Sequence, residues 1–247
     1  MSVLILIPAR AGSTRVKNKN LRTIKDIPLV AHVIQKAVDS QIGRVVVSTN
    51  STEIKSVAQQ FGAEVPFLRP DALSTASASS LSCILHTLHW FQENENWSPE
   101  MVAFCPPTNP FWKAQTLQHM RQMLLNQPKY NSAVTITACQ THPFRVVRLH
   151  PDNRLENGII EIEGKSINDI ERSQDWPETW EGSPACRFSK SSYFLKQLEG
   201  DDDFLSIQGK TYDTENCLGY PISSLEAWDI DEENDFLLAQ KLIEPNL

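Results

Sequence analysis

VLILIPARAGSTRVKNKNL, residues 3–21, joins five consecutive apolar residues to a small-residue turn and then to a basic run. An apolar run this short, ended by Pro8 and Gly12, has the pattern of a strand buried on both faces that opens into a loop. Arg10, Arg15, Lys17, Lys19 and Arg22 gather in and just beyond that loop, although the formal net charge of the chain is -7. In an open α/β sheet, ligands sit beyond the carboxyl ends of the strands. The local cations of an otherwise acidic protein therefore predict a small anionic ligand there.

Downstream, the pattern alternates. Pro28 suits a first helical position, and Leu29, Val30, Val33, Ile34 and Ala37 form one apolar face. The strand RVVVSTN (44–50) follows Gly43; Ser51 then caps a helix carrying Ile54, Val57, Ala58 and Phe61, which stops at Gly62. Leu81, Ile84, Leu85 and Leu88 mark a helix, MVAFC (101–105) a strand, Leu117, Met120 and Leu124 a helix, and SAVTITAC (132–139) a strand. Such alternation predicts a mostly parallel sheet with helices on both faces, within one α/β domain spanning 1–247. Over 140–188 the chain turns polar, with short β-like pieces (145–149 and 158–163) and the loop DWPETWEGSP (175–184). That stretch reads as a β-rich excursion, a flap or an oligomer arm. SSYFLKQL, a strand near CLGYPI and a helix after Asp231 then resume the pattern.

The sequence pI near 5.4 speaks against nucleic-acid or anionic-membrane partners. The apolar start is too short for a membrane span and lacks the basic flank of a signal peptide. Five scattered cysteines without a C-x-x-C pair read as reduced thiols, and a cytoplasmic location is expected.

Gly12 and Ser13 let the backbone present amides to an anion, with Arg10, Arg15 and Lys19 supplying charge; the spacing matches neither the P-loop nor the dinucleotide fingerprint. The same residues also fit a solvated basic loop. Near the other end, Asp229 and Asp231 in AWDIDEEND lie two apart on an extended segment, so they project to one side and suit a hard cation such as Mg2+. Alternatively, Asp231 caps the following helix and Asp229 is a surface charge. Basic loop and D-x-D together favour nucleotidyl transfer, which needs cations for a triphosphate and carboxylates for a metal. His86 and His89, three apart on a helix with no third ligand evident, read as surface histidines.

Five stretches in order, IPARAGSTRVKNKNL, VVVSTNSTEI, FLRPDALSTASASS, CPPTNPF and DIDEENDF, resemble the acylneuraminate cytidylyltransferase (CMP-sialic acid synthetase) family. The resemblance covers residues 1–140 and 186–243. It implies a Rossmann-like nucleotidyltransferase domain, a homodimer, Mg2+ dependence, and transfer of CMP from CTP to a 2-keto-3-deoxy sugar acid with release of pyrophosphate. By position, Arg10, Ser13, Arg15 and Lys19 fall in the triphosphate loop, with Ala9, Ala11 and Asn20 at the nucleotide and Leu21 completing the family's Lys-Asn-Leu. Arg69 and Ser80 fall where the family reads cytosine, Asp229 and Asp231 on its metal carboxylates, and Arg187 near its sugar-acid pocket. The 140–188 excursion matches the family's dimerisation region in position.

Several departures stand out, and the nucleotide half is better kept than the acceptor half. Thr14 and Lys17 replace a Lys and a Pro of the family loop, Ala76 a common Asp, and Ser189-Lys190 an Asn-Gly by the sugar pocket. Pro106-Pro107-Thr108-Asn109-Pro110 stands for Gln-Pro-Thr-Ser-Pro, which removes a side-chain amide at Pro106. The acceptor is therefore expected to differ from plain N-acetylneuraminate, with Lys190 or the loop from Arg172 to Glu181 helping to select it. Rival expectations are a nucleotidyltransferase using another nucleotide or sugar, and a non-catalytic nucleotide-binding paralogue.

Overall fold

The computed structural model describes residues 1–13, 15–159, 161–198, 207 and 209–242. The opening apolar run is strand β1 (Val3–Pro8), inside a six-stranded sheet with β2 (Arg44–Ser48), β3 (Met101–Phe104), β4 (Ser132–Ala138), β5 (Trp180–Lys190) and β6 (Cys217–Pro221). The strand order is β6-β4-β5-β3-β1-β2. Every strand runs parallel except β5, which is antiparallel to both β3 and β4.

Alternation along β1 divides the core. Val3, Ile5 and Ile7 pack under α1 (Leu29–Ser40), α2 (Thr52–Gln60) and α4 (Ala114–Asn126), whereas Leu4 and Leu6 pack under α3 (Ser80–Glu95) and α5 (Ser191–Leu195). The mostly parallel sheet with helices on both faces is thus as expected. Pro28 sits just before α1, closing a hairpin of Thr23–Ile24 with Ile27–Pro28, instead of opening the helix. The Ser51 hydroxyl accepts the Ile54 amide at 3.2 Å and caps α2. Helix α6 (Glu233–Leu242) buries Phe236 and Ala239 against Val16, Ile24 and Leu29, tying the end of the chain to the first loop.

The excursion expected over 140–188 ends earlier, because residues from Trp180 onward enter the main sheet as β5. Its pattern hides the strand: the register shifts between Gly182 and Arg187, and Pro184 falls inside that bulge, where no ladder amide is required. Thr135 stitches the bulge, its Oγ1 accepting the Cys186 amide at 3.1 Å and lying 3.1 Å from the Ser183 carbonyl. Before β5 there remain an antiparallel pair, Val147–Leu149 with Leu155–Asn157, and a second pair, Glu161–Ile162 with Lys165–Ser166.

Candidate active site

The loop after β1 is folded by its own small and amide residues. Gly12 has φ +76°, a left-handed conformation that a side chain would strain, and Asn18 adopts φ 53° at the entry to the short turn Lys19–Leu21. Asn50, just beyond β2, accepts the Ala11 amide on Oδ1 at 2.9 Å, and Asn20 Nδ2 donates to the Arg10 carbonyl at 3.0 Å. The Ala9 amide donates to the Ser48 carbonyl. These bonds place Arg10, Ser13, Arg15, Lys19 and Asn20 around a hollow of about 190 Å3 whose far wall is Pro106, Pro107 and Thr108, at the carboxyl end of β3. Thr14 lies outside the described residues.

The two ends of the chain meet at this hollow. The Lys19 ammonium donates to the Ile230 carbonyl at 2.5 Å and lies 3.9 Å from Asp231, which also pairs with Arg15 at 3.1 Å. Burial draws the Lys19 pKa down, against the pull of Asp231 and Asp229. Burial pushes the Asp229 carboxyl above the usual aspartate value; the Thr108 hydroxyl opposes the shift, and Asp231 adds to it. Oδ1 of Asp229 is buried without a hydrogen-bond partner. Capping falls to Asp235 instead of Asp231: its Oδ2 accepts the Asp231 and Glu232 amides at 3.0 and 2.7 Å. Asp231 is left facing the basic loop, while Asp229 lines the neighbouring hollow.

On the other side of Arg10, a hollow of about 170 Å3 holds Arg69 and Ser80 together with Ala76, Ser79 and Cys83. Arg69 is 6% exposed, with Nε on the Ser74 hydroxyl at 3.2 Å and Nη1 on the Cys83 sulfur at 3.2 Å, so its guanidinium plane is held. A planar, fixed donor array of this kind suits a nucleobase edge.

The residues expected to contact a sugar divide. Pro106 lines the hollow beneath the basic loop, and Arg187 is largely buried opposite Phe104, donating to Thr211 Oγ1 at 3.0 Å. Burial lowers the Arg187 pKa, opposed by Tyr212 and Asp229. Lys190 is a correction. It pairs with Met101, the first residue of β3, and donates to the Pro128 carbonyl at 2.6 Å. Because β5 runs antiparallel, its end lies at the opposite edge of the sheet from Asp229. Arg172 is also displaced, forming an exposed ion pair with Asp175 at 2.9 Å within its own turn. Of the loop from Arg172 to Glu181, it is Glu181 that lines a hollow of about 230 Å3 beside Asp229, along with Gln140, Ser183, Ser224 and Trp228. His89 is exposed and faces Glu93 at 3.3 Å, as expected of a helix-surface histidine, whereas His86 is half-buried edge-on to Phe67 at 4.8 Å with its Nδ1 buried and without a hydrogen-bond partner.

Sequence reading passed over Asn50, Ser74 and Asn109. Asn50 directly follows a strand, where a loop-stabilising amide is a legible signal; Ser74 holds Arg69 from five residues away, and Asn109 acts through partners distant in sequence.

A sequence profile of the cytidylyltransferase family matches residues 4–154. The chain is 30% identical over 250 residues to the CMP-N,N'-diacetyllegionaminic acid synthase of Legionella pneumophila, covering 100% of this chain and 98% of that one. It is 34% identical over 199 residues to a pseudaminic acid cytidylyltransferase of Campylobacter jejuni, covering 80% and 82% respectively. The structure superposes with a TM-score of 0.69 on CMP:2-keto-3-deoxy-manno-octonic acid synthetase complexed with CTP, over 100% of both chains; at 14% identity, that likeness concerns the fold.

Proposed function

The chain belongs to the cytidylyltransferase family, and on that premise we propose that it transfers CMP from CTP to a 2-keto-3-deoxy sugar acid of the nonulosonate class, releasing pyrophosphate. The observation that carries this reading is the convergence on Lys19 of the basic loop after β1 and the Asp229/Asp231 segment before α6.

In this reading Arg69 and Ser80 hold the cytosine edge, and Arg10, Arg15 and Lys19 hold the triphosphate. The anomeric hydroxyl of the acid attacks the α-phosphorus in line and gives up its proton to water; the new P–O bond forms as the bond to pyrophosphate breaks, and the charge gathering on the leaving group meets the three cations. Arg187 is a buried cation close enough to Asp229 to feel its charge, which suits it to the acceptor's carboxylate. Asp229 and Asp231 fit a hard cation: both offer carboxylate oxygens, and one of these is buried and unpartnered. Among the described residues no three His, Cys, Asp or Glu side chains gather as a cage. Two carboxylates completed by substrate phosphates is the pattern of Mg2+, which when bound supplies positive charge beside the α-phosphate.

We also place the protein in the cytoplasm as a homodimer. CTP dependence and five free cysteines support the location. Val147, Leu149 and Leu155 are 48%, 64% and 63% exposed on one face of their antiparallel pair, and a second copy of the chain would cover them. Among the described residues no helix is long and apolar enough to cross a membrane.

The test is pyrophosphate release from each of the four NTPs with a panel of keto-deoxy sugar acids. Release with CTP and a legionaminate- or pseudaminate-type acid, abolished by EDTA, is expected. Preference for another NTP, or no release with any acid, would overturn the reading.

A further inference from the structure

Asn109 is 0% exposed although it carries a polar amide, and it lies in the wall segment after β3, more than a hundred residues from the carboxylate pair. Its Nδ2 donates to two consecutive carbonyls, Ala227 at 3.3 Å and Trp228 at 3.0 Å. Two acceptors on one side require the amide nitrogen there, and its two N–H groups match them one to one. On the other side, Oδ1 lies 3.3 Å from the Thr108 hydroxyl. The neighbouring backbone continues the clamp, with the Ile230 amide donating to the Thr108 carbonyl at 2.8 Å, while Lys19 Nζ holds the Ile230 carbonyl. The segment 227–230 has no sheet partner of its own, since β6 ends at Pro221 and α6 begins at Glu233. Its course is therefore held by this small group of bonds together with the turn bonds of the Ala227 and Trp228 amides to Ser223 and Leu225 and the burial of Ile230.

We propose that Asn109 is a positioning residue for the carboxylate pair: its buried amide clamps the carbonyls of Ala227 and Trp228 and so fixes where Asp229 and Asp231 face the triphosphate hollow. This rests on the reading of those two aspartates as the metal-holding pair. Serine would keep one donor for two carbonyls, alanine none, and aspartate would set a carboxylate against both. The order of damage follows as Ser, Ala, Asp. An unpaired buried carbonyl loses its partner without gaining water, so the segment shifts or loosens instead of staying put.

Two measurements on the full chain decide it, using Asn109→Ser and Asn109→Ala so that one variant keeps part of the clamp. Hydrogen exchange resolved by peptide should rise over residues 227–231 in both variants, more in the alanine, with the strands of the sheet unchanged. Mn2+ binding in the presence of a non-reactive CTP analogue, read by electron paramagnetic resonance, should weaken by about tenfold in the alanine variant, the scale of one to two lost hydrogen bonds. Binding of the analogue without divalent ion should not move. Unchanged exchange over 227–231, or exchange raised equally across the sheet, would overturn the proposal. Absence of Mn2+ binding by the unsubstituted protein would instead count against the metal reading, leaving Asn109 to be judged by exchange alone.

Discussion

Asp229 concentrates the chemistry and the cost of the site. Burial raises its pKa, so the ionised form is disfavoured in the folded protein relative to the unfolded chain. Above the folded pKa the group therefore subtracts stability, and the penalty fades as pH falls through that pKa toward the ordinary aspartate value. Asp229→Asn should accordingly raise Tm at neutral pH, with the gain vanishing in acid, which a series of melting curves across pH will read. The same substitution, like Asp231→Asn, should lower kcat by about 100-fold or more, the scale of a lost charge-stabilising element. Near-native turnover in both would refute the metal assignment. Lys19 and Arg69 separate by partner. Lys19→Ala should weaken triphosphate binding whatever the base, while Arg69→Ala should erode the preference for cytosine, because charge serves phosphates and directed bonds serve base edges. Calorimetric titration of CTP, UTP and inorganic triphosphate distinguishes these outcomes.

Among the elements, β5 joins the core to the acceptor side. Its end pairs with β3 and β4 in regular register, and its bulge turns Ser183 and Pro184 toward the hollow beside Asp229. Bulges bend a strand and re-aim side chains, and this one depends on the Thr135 hydroxyl. Thr135→Val is close to isosteric yet leaves the buried Cys186 amide unpaired. It should cost about 1–3 kcal/mol in denaturant unfolding and raise the KM for the acid more than that for CTP. Equal changes in both KM values would show that the bulge does not shape the acceptor side. The β2 end of the sheet is held differently: Arg44 is pinned between Glu64 and Glu95 and lies 4.7 Å over both Phe91 and Trp97. That staple lies far from the chemistry, at the start of β2.

At the scale of the whole molecule, the proposed nucleotide side joins the first half of the chain to the segment at 229–231, and the proposed acceptor side gathers residues from across the chain. Pro106 offers neither a side-chain donor nor a backbone N–H to a bound sugar. A site that loses one hydrogen-bonding partner shifts its preference by about 1–3 kcal/mol, enough for a ten- to hundred-fold change in relative kcat/KM. Competition at fixed CTP should therefore favour a legionaminate- or pseudaminate-type acid over N-acetylneuraminate; the reverse order would mean that Gln140, Glu181 or Ser224 supplies the missing contact. The exposed apolar face of the 147–157 pair bears on assembly. The double substitution Leu149→Asp and Leu155→Asp should shift the sedimentation profile toward monomer without lowering Tm of the core, and a dimer surviving it would place the interface elsewhere.

The strands and helices that cover the sheet were legible because each carries its own local period: the unbroken apolar β1, the i, i+3, i+4 faces of α1 and α3, the Ser51 cap. The basic loop and the D-x-D segment stood out as residue types, and the fold brings them together at Lys19 and Asp231. Local pattern alone could not place β5, because a bulge with a proline reads as a loop until β3 and β4 supply its partners. Nor could it say which of Lys190, Arg172 and Glu181 lies beside Asp229, which follows from the direction of β5 and from the turn that occupies Arg172 with Asp175. Asn109 makes the division plain. Its short-range context is a proline-rich turn like many others, and its partners at 227 and 228 exist only after the sheet has brought the carboxyl ends of its strands to one edge.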